Sequence, residues 1–241
     1  MRATVADCER VQTSWFQLRS KVLGGDAWED TGLAWANGDL MFPQVIDPAA
    51  LARGVERARA GGSTVIGAWL GLDVDPAPLA AAGFEKGWSP WWMAGPIDVG
   101  LPPDPRVALQ ETTTDYSGAH AGYAATLAMA RLRPTQAWYA AAHHDGWFAD
   151  RAWSHVVGDL PGVFDVDVWP PFQRQGLGTG LMQAVCAAAA GAGARDVVLN
   201  STPAGVRLYE KCGLERIGTG ITWWLHPPTV PGAALGASHS P

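Results

Sequence analysis

The residues Gln173-Arg174-Gln175-Gly176-Leu177-Gly178 follow an apolar strand that ends at Val168 and lead straight into a long Ala-rich helix. Two glycines at this spacing let the backbone turn tightly and bring its N–H groups close to an anion, and the new helix adds the partial positive charge of its N-terminus. The chemistry this favours is the holding of a phosphate or pyrophosphate. Better-known phosphate loops do not fit. A Walker loop needs Gly-Lys-Ser/Thr and a dinucleotide fingerprint needs G-x-G-x-x-G; Gly176, Gly178 and Gly180 supply neither.

A second motif stands downstream. Leu208-Tyr209-Glu210-Lys211-Cys212-Gly213-Leu214 follows the strand Val197-Val198-Leu199-Asn200. Taken with Val168-Trp169-Pro170, the Gln/Arg-x-x-Gly-x-Gly loop resembles the acyl-coenzyme A loop of the GNAT acetyltransferase superfamily. The downstream segment resembles that family's Leu-Tyr-Glu-Lys-x-Gly-Phe. The resemblance implies an α/β fold with a mixed sheet (α+β in layout), the acyl-CoA N-acyltransferase fold, and acetyl-CoA as acyl donor. It also implies roles. Gln173, Arg174, Gln175, Gly176, Leu177, Gly178 and Thr179 would hold the cofactor's pyrophosphate, the Val168 N–H would bond the thioester carbonyl, and Tyr209 would stand near the sulfur as general acid. Asn200 would reach the pantetheine arm or order the next turn; the family often has its Asn two residues further on, where this chain has Thr202.

Acetyl transfer to an amine needs a neutral amine, a stabilised oxyanion and a proton for the departing thiolate. A phenol with an ordinary pKa near 10 suits the last task; the alternative for Tyr209 is packing against the sheet with its hydroxyl at the rim. Strand alternation puts Asp165 and Asp167 on one face with Val163 and Trp169. Those carboxylates could line the acceptor cleft, bind a cationic amine or take its proton through water, or form a solvated strand face. His155 on the neighbouring strand, and His143 and His144 before it, have a pKa range suited to base work but sit in no motif.

The elements that must position these residues occur twice. Residues 47–62 read as a helix, 63–70 as a strand, 76–82 as a short helix, and a strand carries Trp91-Trp92-Met93. The C-terminal run repeats that order from the Ala-rich helix to a strand carrying Trp223-Trp224-Leu225. The first copy has no Gly-x-Gly loop, and Leu79 stands at the position of Tyr209, so it reads as a degenerate half over 1–104. The catalytic half is read over 105–226 and a flexible tail over 227–241, with a stiff Pro-rich linker at 95–106 between the halves. Within the second half the sequence predicts a strand at 107–112, a helix at 115–131, a short helix at 135–143, and a hairpin of 151–157 and 162–168 around Gly158-Asp159. The strand the family has before this hairpin is expected to be short or absent.

The chain has 241 residues, 48% apolar, with a formal net charge of −6, so it has a core-sized apolar content and no basic field for nucleic acid. The N-terminus has no apolar core region and no run of about 18 apolar residues occurs, which points to the cytoplasm and away from membranes. Cys8, Cys186 and Cys212 lack ligand spacing and read as reduced thiols, with no metal expected. Thirteen tryptophans are partly core, but Thr222-Trp223-Trp224 at a sheet end suits a bulky or aromatic acceptor. The leading reading is an acetyl-CoA-dependent N-acetyltransferase acting by direct transfer on a small-molecule amine, as a monomer or homodimer. The alternatives are a carrier-bound or aminoacyl-tRNA donor, and a non-catalytic acyl-CoA-binding module.

Overall fold

Helix α1 (Val5–Val22) starts at a reciprocal cap. The Asp7 N–H donates to Thr4 Oγ1 at 3.2 Å and the Thr4 N–H donates to the Asp7 carboxylate at 3.0 Å. The computed structural model describes residues 3–22, 24–98, 100, 102–109 and 136–227. After α1 come strands β1 (Ala27–Asp30), β2 (Leu33–Ala36) and β3 (Asp39–Met41), helix α2 (Pro48–Ala60), β4 (Ile66–Leu70), α3 (Ala77–Ala81), β5 (Glu85–Lys86) and β6 (Trp91–Pro96). The Asp47-Pro48 start is as expected: Asp47 caps α2 by accepting the Ala50 N–H at 2.7 Å.

The second half has β7 (Val107–Leu109), β8 (Ala137–His144), β9 (Trp147–Val157), β10 (Leu160–Val168), α4 (Leu177–Gly191), β11 (Asp196–Ser201), α5 (Val206–Lys211), β12 (Glu215–Thr219) and β13 (Ile221–Leu225). The helix expected at 115–131 and nearly all of the tail expected at 227–241 lie outside the described residues. Where the sequence predicts a helix over 135–143, the chain forms β8, the strand expected to be short or absent. Its alanines favour helix locally, but Ala140 and Ala142 lie under α4 and Ala137, Tyr139 and Ala141 join the core cluster of Trp153 and Trp15 on the other face, so packing on both faces decides.

The strands form two mixed sheets, in the orders β1-β2-β3-β4-β13-β5 and β12-β6-β11-β10-β9-β8-β7. The sheets do not part where the sequence halves do. β6, from the first half, lies between β11 and β12, its Trp91 opposite Ser201 and its Pro96 opposite Asp196; β13, from the second, lies between β4 and β5. The two halves have exchanged their last strands. Trp223 and Trp224 therefore sit in the six-stranded sheet opposite Ala68 and Gly67, which removes them from the end of the sheet carrying the Gly-rich loop.

Helix α1 lies between the sheets. Its Trp15 stacks on Phe164 with ring centroids 4.6 Å apart, and its Phe16 meets Trp69 of β4 edge-on at 5.6 Å. Trp15, Trp35, Trp92 and Trp153 are fully buried, so much of the tryptophan content is core. On the opposite face of the seven-stranded sheet, Leu177, Leu181 and Val185 of α4 pack on Ala140, Ala142, Ala149 and Ala152, whose small side chains let the helix lie close.

Candidate functional site

Strands β10 and β11 run parallel but pair at one rung, Gly162 with Val198, and then diverge. A β-bulge drives the divergence: Phe164 pairs with Trp153 and the next rung joins Asp167 to Arg151, so Asp165 and Val166 oppose Ala152 alone. Asp165 takes φ +51° in the bulge. The extra residue reverses the alternation. Val163 before it and Val166 and Val168 after it all pack towards α4, while Asp167 shares the α1 face with Arg151. Asp165 and Asp167 are thus not a pair on one regular strand face, and simple alternation could not see this. Both are exposed.

The end of β10 turns one main-chain donor into the gap. The Trp169 N–H donates to the Ala149 carbonyl at 3.3 Å, so the preceding rung, Val168 with Asp150, is one whose main-chain groups point away from β9. The Val168 N–H and C=O face the space towards β11. Its carbonyl is taken by Gln173 Nε2 at 2.7 Å, which leaves the N–H as the donor at the gap.

Past a single 3-10 turn at Pro170–Phe172, Arg174 (φ +61°) and Gly176 (φ +85°) are both left-handed, and α4 begins. Alternation of left- and right-handed residues curls backbone N–H groups around a concavity suited to anions. A Cβ on Gly178 would stand 3.0 Å from Leu208 Cδ2, so glycine lets α4 start close to α5. The result is a cavity of about 680 Å³ bounded by Val168, the 172–179 loop and α5. Arg174, Arg207 and Lys211 bring three cations to its lining against one carboxylate, Asp167. Leu177 and Thr179 also line it; Gln175 instead turns its carbonyl to Arg106 at 3.0 Å.

Tyr209 is buried on the sheet side of α5, its ring beside Gly205, which lines the cavity. Burial, with the neighbouring Cys212 thiol and the Asp167 carboxylate, pushes its phenol up to about 12. Asn200 does not reach the cavity: its amide donates to Gln12 Oε1 of α1 at 2.9 Å. His155 is also elsewhere. It pairs with Gly162 at the closed end of the gap and its Nε2 is 2.9 Å from Ser14 Oγ on α1. His144, at the end of β8, lies with its ring 5.6 Å from that of Phe172.

Sequence reading missed Asp150. It is fully buried opposite Val168; its Oδ1 accepts the Arg151 N–H at 2.5 Å and an Arg151 guanidinium N–H at 3.4 Å, and its Oδ2 has no hydrogen-bond partner among the described residues. Burial first, then the charge of Asp167, pushes its carboxyl up to about 8. An Asp-Arg pair in sequence reads as solvated; the hint was its place inside the run Phe148 to Val157.

The equivalent strands of the first half are closed. β3 and β4 pair at Leu40 with Ala68 and Met41 with Trp69, and the Phe42 N–H continues to the Trp69 carbonyl at 2.8 Å. No gap opens between them, and α2 begins at Asp47 without a glycine cradle.

A mixed sheet whose central parallel pair splays above a glycine-turned anion cradle defines the acyl-donor-binding class of acetyltransferase fold. Residues 116–214 match the model of the acetyltransferase (GNAT) family, and the mixed α/β fold is the GNAT fold. Three solved structures share the fold over nearly the whole chain. They are a GCN5-related N-acetyltransferase from Kribbella flavida (17% identity, 94% of this chain and 97% of that one, TM-score 0.60), a GNAT-family protein from Novosphingobium aromaticivorans (19%, 91% and 97%, 0.59) and a tandem GNAT protein from the clavulanic acid biosynthesis pathway (17%, 93% and 96%, 0.52). No curated protein matches the chain. Among the described residues, no helix is long and apolar enough to cross a membrane and no cluster of His, Cys, Asp or Glu could hold a metal ion.

Proposed function

We propose that this protein transfers an acetyl group from acetyl-CoA to the amine of a small molecule, directly, at the gap between β10 and β11. The observation that carries this reading is the Val168 N–H, turned away from β9 into a gap that continues into the cation-lined cavity. The residues fit the donor. Gly176 and the first N–H groups of α4, with Arg174, Arg207 and Lys211, suit a pyrophosphate; the splayed strands suit an extended arm that lacks one strand neighbour.

The chemistry then divides among this chain's own groups. The amine nitrogen forms a bond to the thioester carbonyl carbon and loses a proton to Asp167, the exposed carboxylate next to the donor N–H. Negative charge developing on the carbonyl oxygen is met by the Val168 N–H, a kind of contact worth about 10²–10³ in rate. The carbon–sulfur bond breaks, and the departing thiolate takes the proton of Tyr209. That phenol is a weak acid held neutral by burial, and it recovers its proton through solvent.

Calorimetry with acetyl-CoA, for the wild type and Gly176→Trp, tests the donor, and thiol release against a panel of amines tests the transfer. Tight binding abolished by the bulky residue, with thiol release on some amine, is the expected result. Binding without release on any amine would support an acyl-CoA-binding module, and no binding would move a carrier or aminoacyl-tRNA donor to the front.

A further inference from the structure

The linker between the halves does more than connect them. It carries Asp104 and Arg106 past the first turn of α4, where they form a two-pronged pair: Arg106 Nε donates to Asp104 Oδ1 at 2.9 Å and Nη2 to Oδ2 at 2.7 Å, while the Arg106 main-chain N–H also donates to Oδ1 at 2.9 Å. The pair is anchored on both sides. The Arg106 carbonyl accepts the His143 N–H of β8 at 2.8 Å, and Asp104 presses on α4, its Cβ 2.9 Å from where a Cβ on Gly180 would stand.

From this clasp Arg106 Nη2 reaches the carbonyl of Gln175 at 3.0 Å. A trans peptide is planar, with its C=O and N–H pointing opposite ways. Holding the Gln175 carbonyl on the linker side therefore aims the Gly176 N–H at the other side, and Gly176 lines the cavity. The peptide needs holding. Gly176 follows it in a left-handed conformation, and glycine tolerates the rotated alternative with little penalty. In the rotated form a carbonyl oxygen, not an N–H, would face an incoming anion.

We propose that Arg106 is a positioning residue of the anion cradle, fixing the Gln175–Gly176 peptide with its N–H towards the cavity. This rests on the donor reading above only for the identity of the anion. Its action is geometric. Asp104 already neutralises its charge, and Arg106 is absent from the cavity lining, so a long-range attraction for the ligand is not what it contributes. The pairing with Arg106 holds the Asp104 carboxyl below the ordinary carboxylate range, so the clasp persists at neutral and mildly acidic pH.

The test is a titration of the isotope-labelled full chain with inorganic pyrophosphate and, separately, with acetyl-CoA, following the Gly176 amide resonance by NMR. The wild type is expected to bind both with a large downfield shift of that amide proton. Arg106→Gln and Arg106→Lys are both expected to bind about tenfold or more weakly and to lose most of the shift, because lysine keeps the charge but cannot fork between Asp104 and the Gln175 carbonyl. Asp104→Asn, which loosens the clasp while leaving Arg106 in place, should fall between and serves if Arg106→Gln fails to fold. Wild-type affinity and shift in Arg106→Lys, or in both Arg106 variants, would overturn the proposal. A wild type that shifts with pyrophosphate but ignores acetyl-CoA would overturn the donor reading and leave the cradle assignment standing; one that binds neither overturns both.

Discussion

Asp150 lies directly across the β9–β10 ladder from Val168, so a fully buried carboxyl stands behind the residue whose N–H is turned into the gap. Its carboxyl is pushed up from 3.8 to about 8. The folded state therefore keeps a proton that the unfolded chain releases, and the stabilisation present below pH 3.8 is lost as pH rises towards 8. Glu9 and Asp39 are shifted upwards too, so the informative quantity is a difference between two proteins. Asp150→Asn should match the wild type near pH 4 and exceed it by several kcal/mol near pH 8 to 9, measured by denaturant unfolding across that range. Parallel pH profiles would show that Asp150 titrates normally.

The bulge assigns different weights to two aspartates that look equivalent in sequence. Asp167→Asn is expected to lower kcat by about 10²-fold or more, as removal of a general base does. Asp165→Asn, on the exposed bulge residue, should change kcat by less than about threefold, in the range of a solvated surface substitution. Steady-state kinetics on the best amine decides, and equal losses in the two variants would remove the base role from Asp167.

Tyr209→Phe separates acid from packing. Loss of a proton donor should cut kcat by about 10²-fold with the acetyl-CoA affinity within about threefold of wild type. The phenol is pushed up to about 12, so it stays protonated through pH 10, and no basic limb in the rate profile below that pH should trace to it. Full turnover with a lowered melting temperature would make Tyr209 a packing residue.

One donor should bind per chain. The first half has β3 and β4 zipped to Phe42 and no left-handed glycine opening α2, so calorimetry should return a stoichiometry near one. Gly176→Trp should remove it, since a side chain at φ +85° is strained by roughly 1–2 kcal/mol, and its Cβ would start 3.7 Å from Arg106 Nη2, against the guanidinium that meets the Gln175 carbonyl. Two sites, or one that survives the substitution, would place a donor in the first half.

The strand, Gly-rich turn and helix around residue 176 were legible because their signals are local: glycines at 176 and 178, an apolar strand before and an Ala-rich helix after. The Leu208 to Leu214 segment was legible for the same reason. Thr4 and Asp7 announce α1 just as locally. What escaped was set at long range. Nothing within Trp91–Pro96 or Ile221–Leu225 says which sheet each strand will join. The alanines of β8 carry a helical preference that only two packed faces overrule. Asp165 looks like any alternating residue until Trp153 and Arg151 define the rungs on either side of it, and Asp150 looks solvated until the sheet pairs it with Val168 and buries it.

A first copy without a cradle cannot be shed. Removing residues 1–104 would draw Trp91–Pro96 out of the middle of the sheet that carries β10 and β11, and leave Ile221–Leu225 with no sheet to enter. A cut at the linker would therefore leave two incomplete sheets, each missing a strand that the other piece carries.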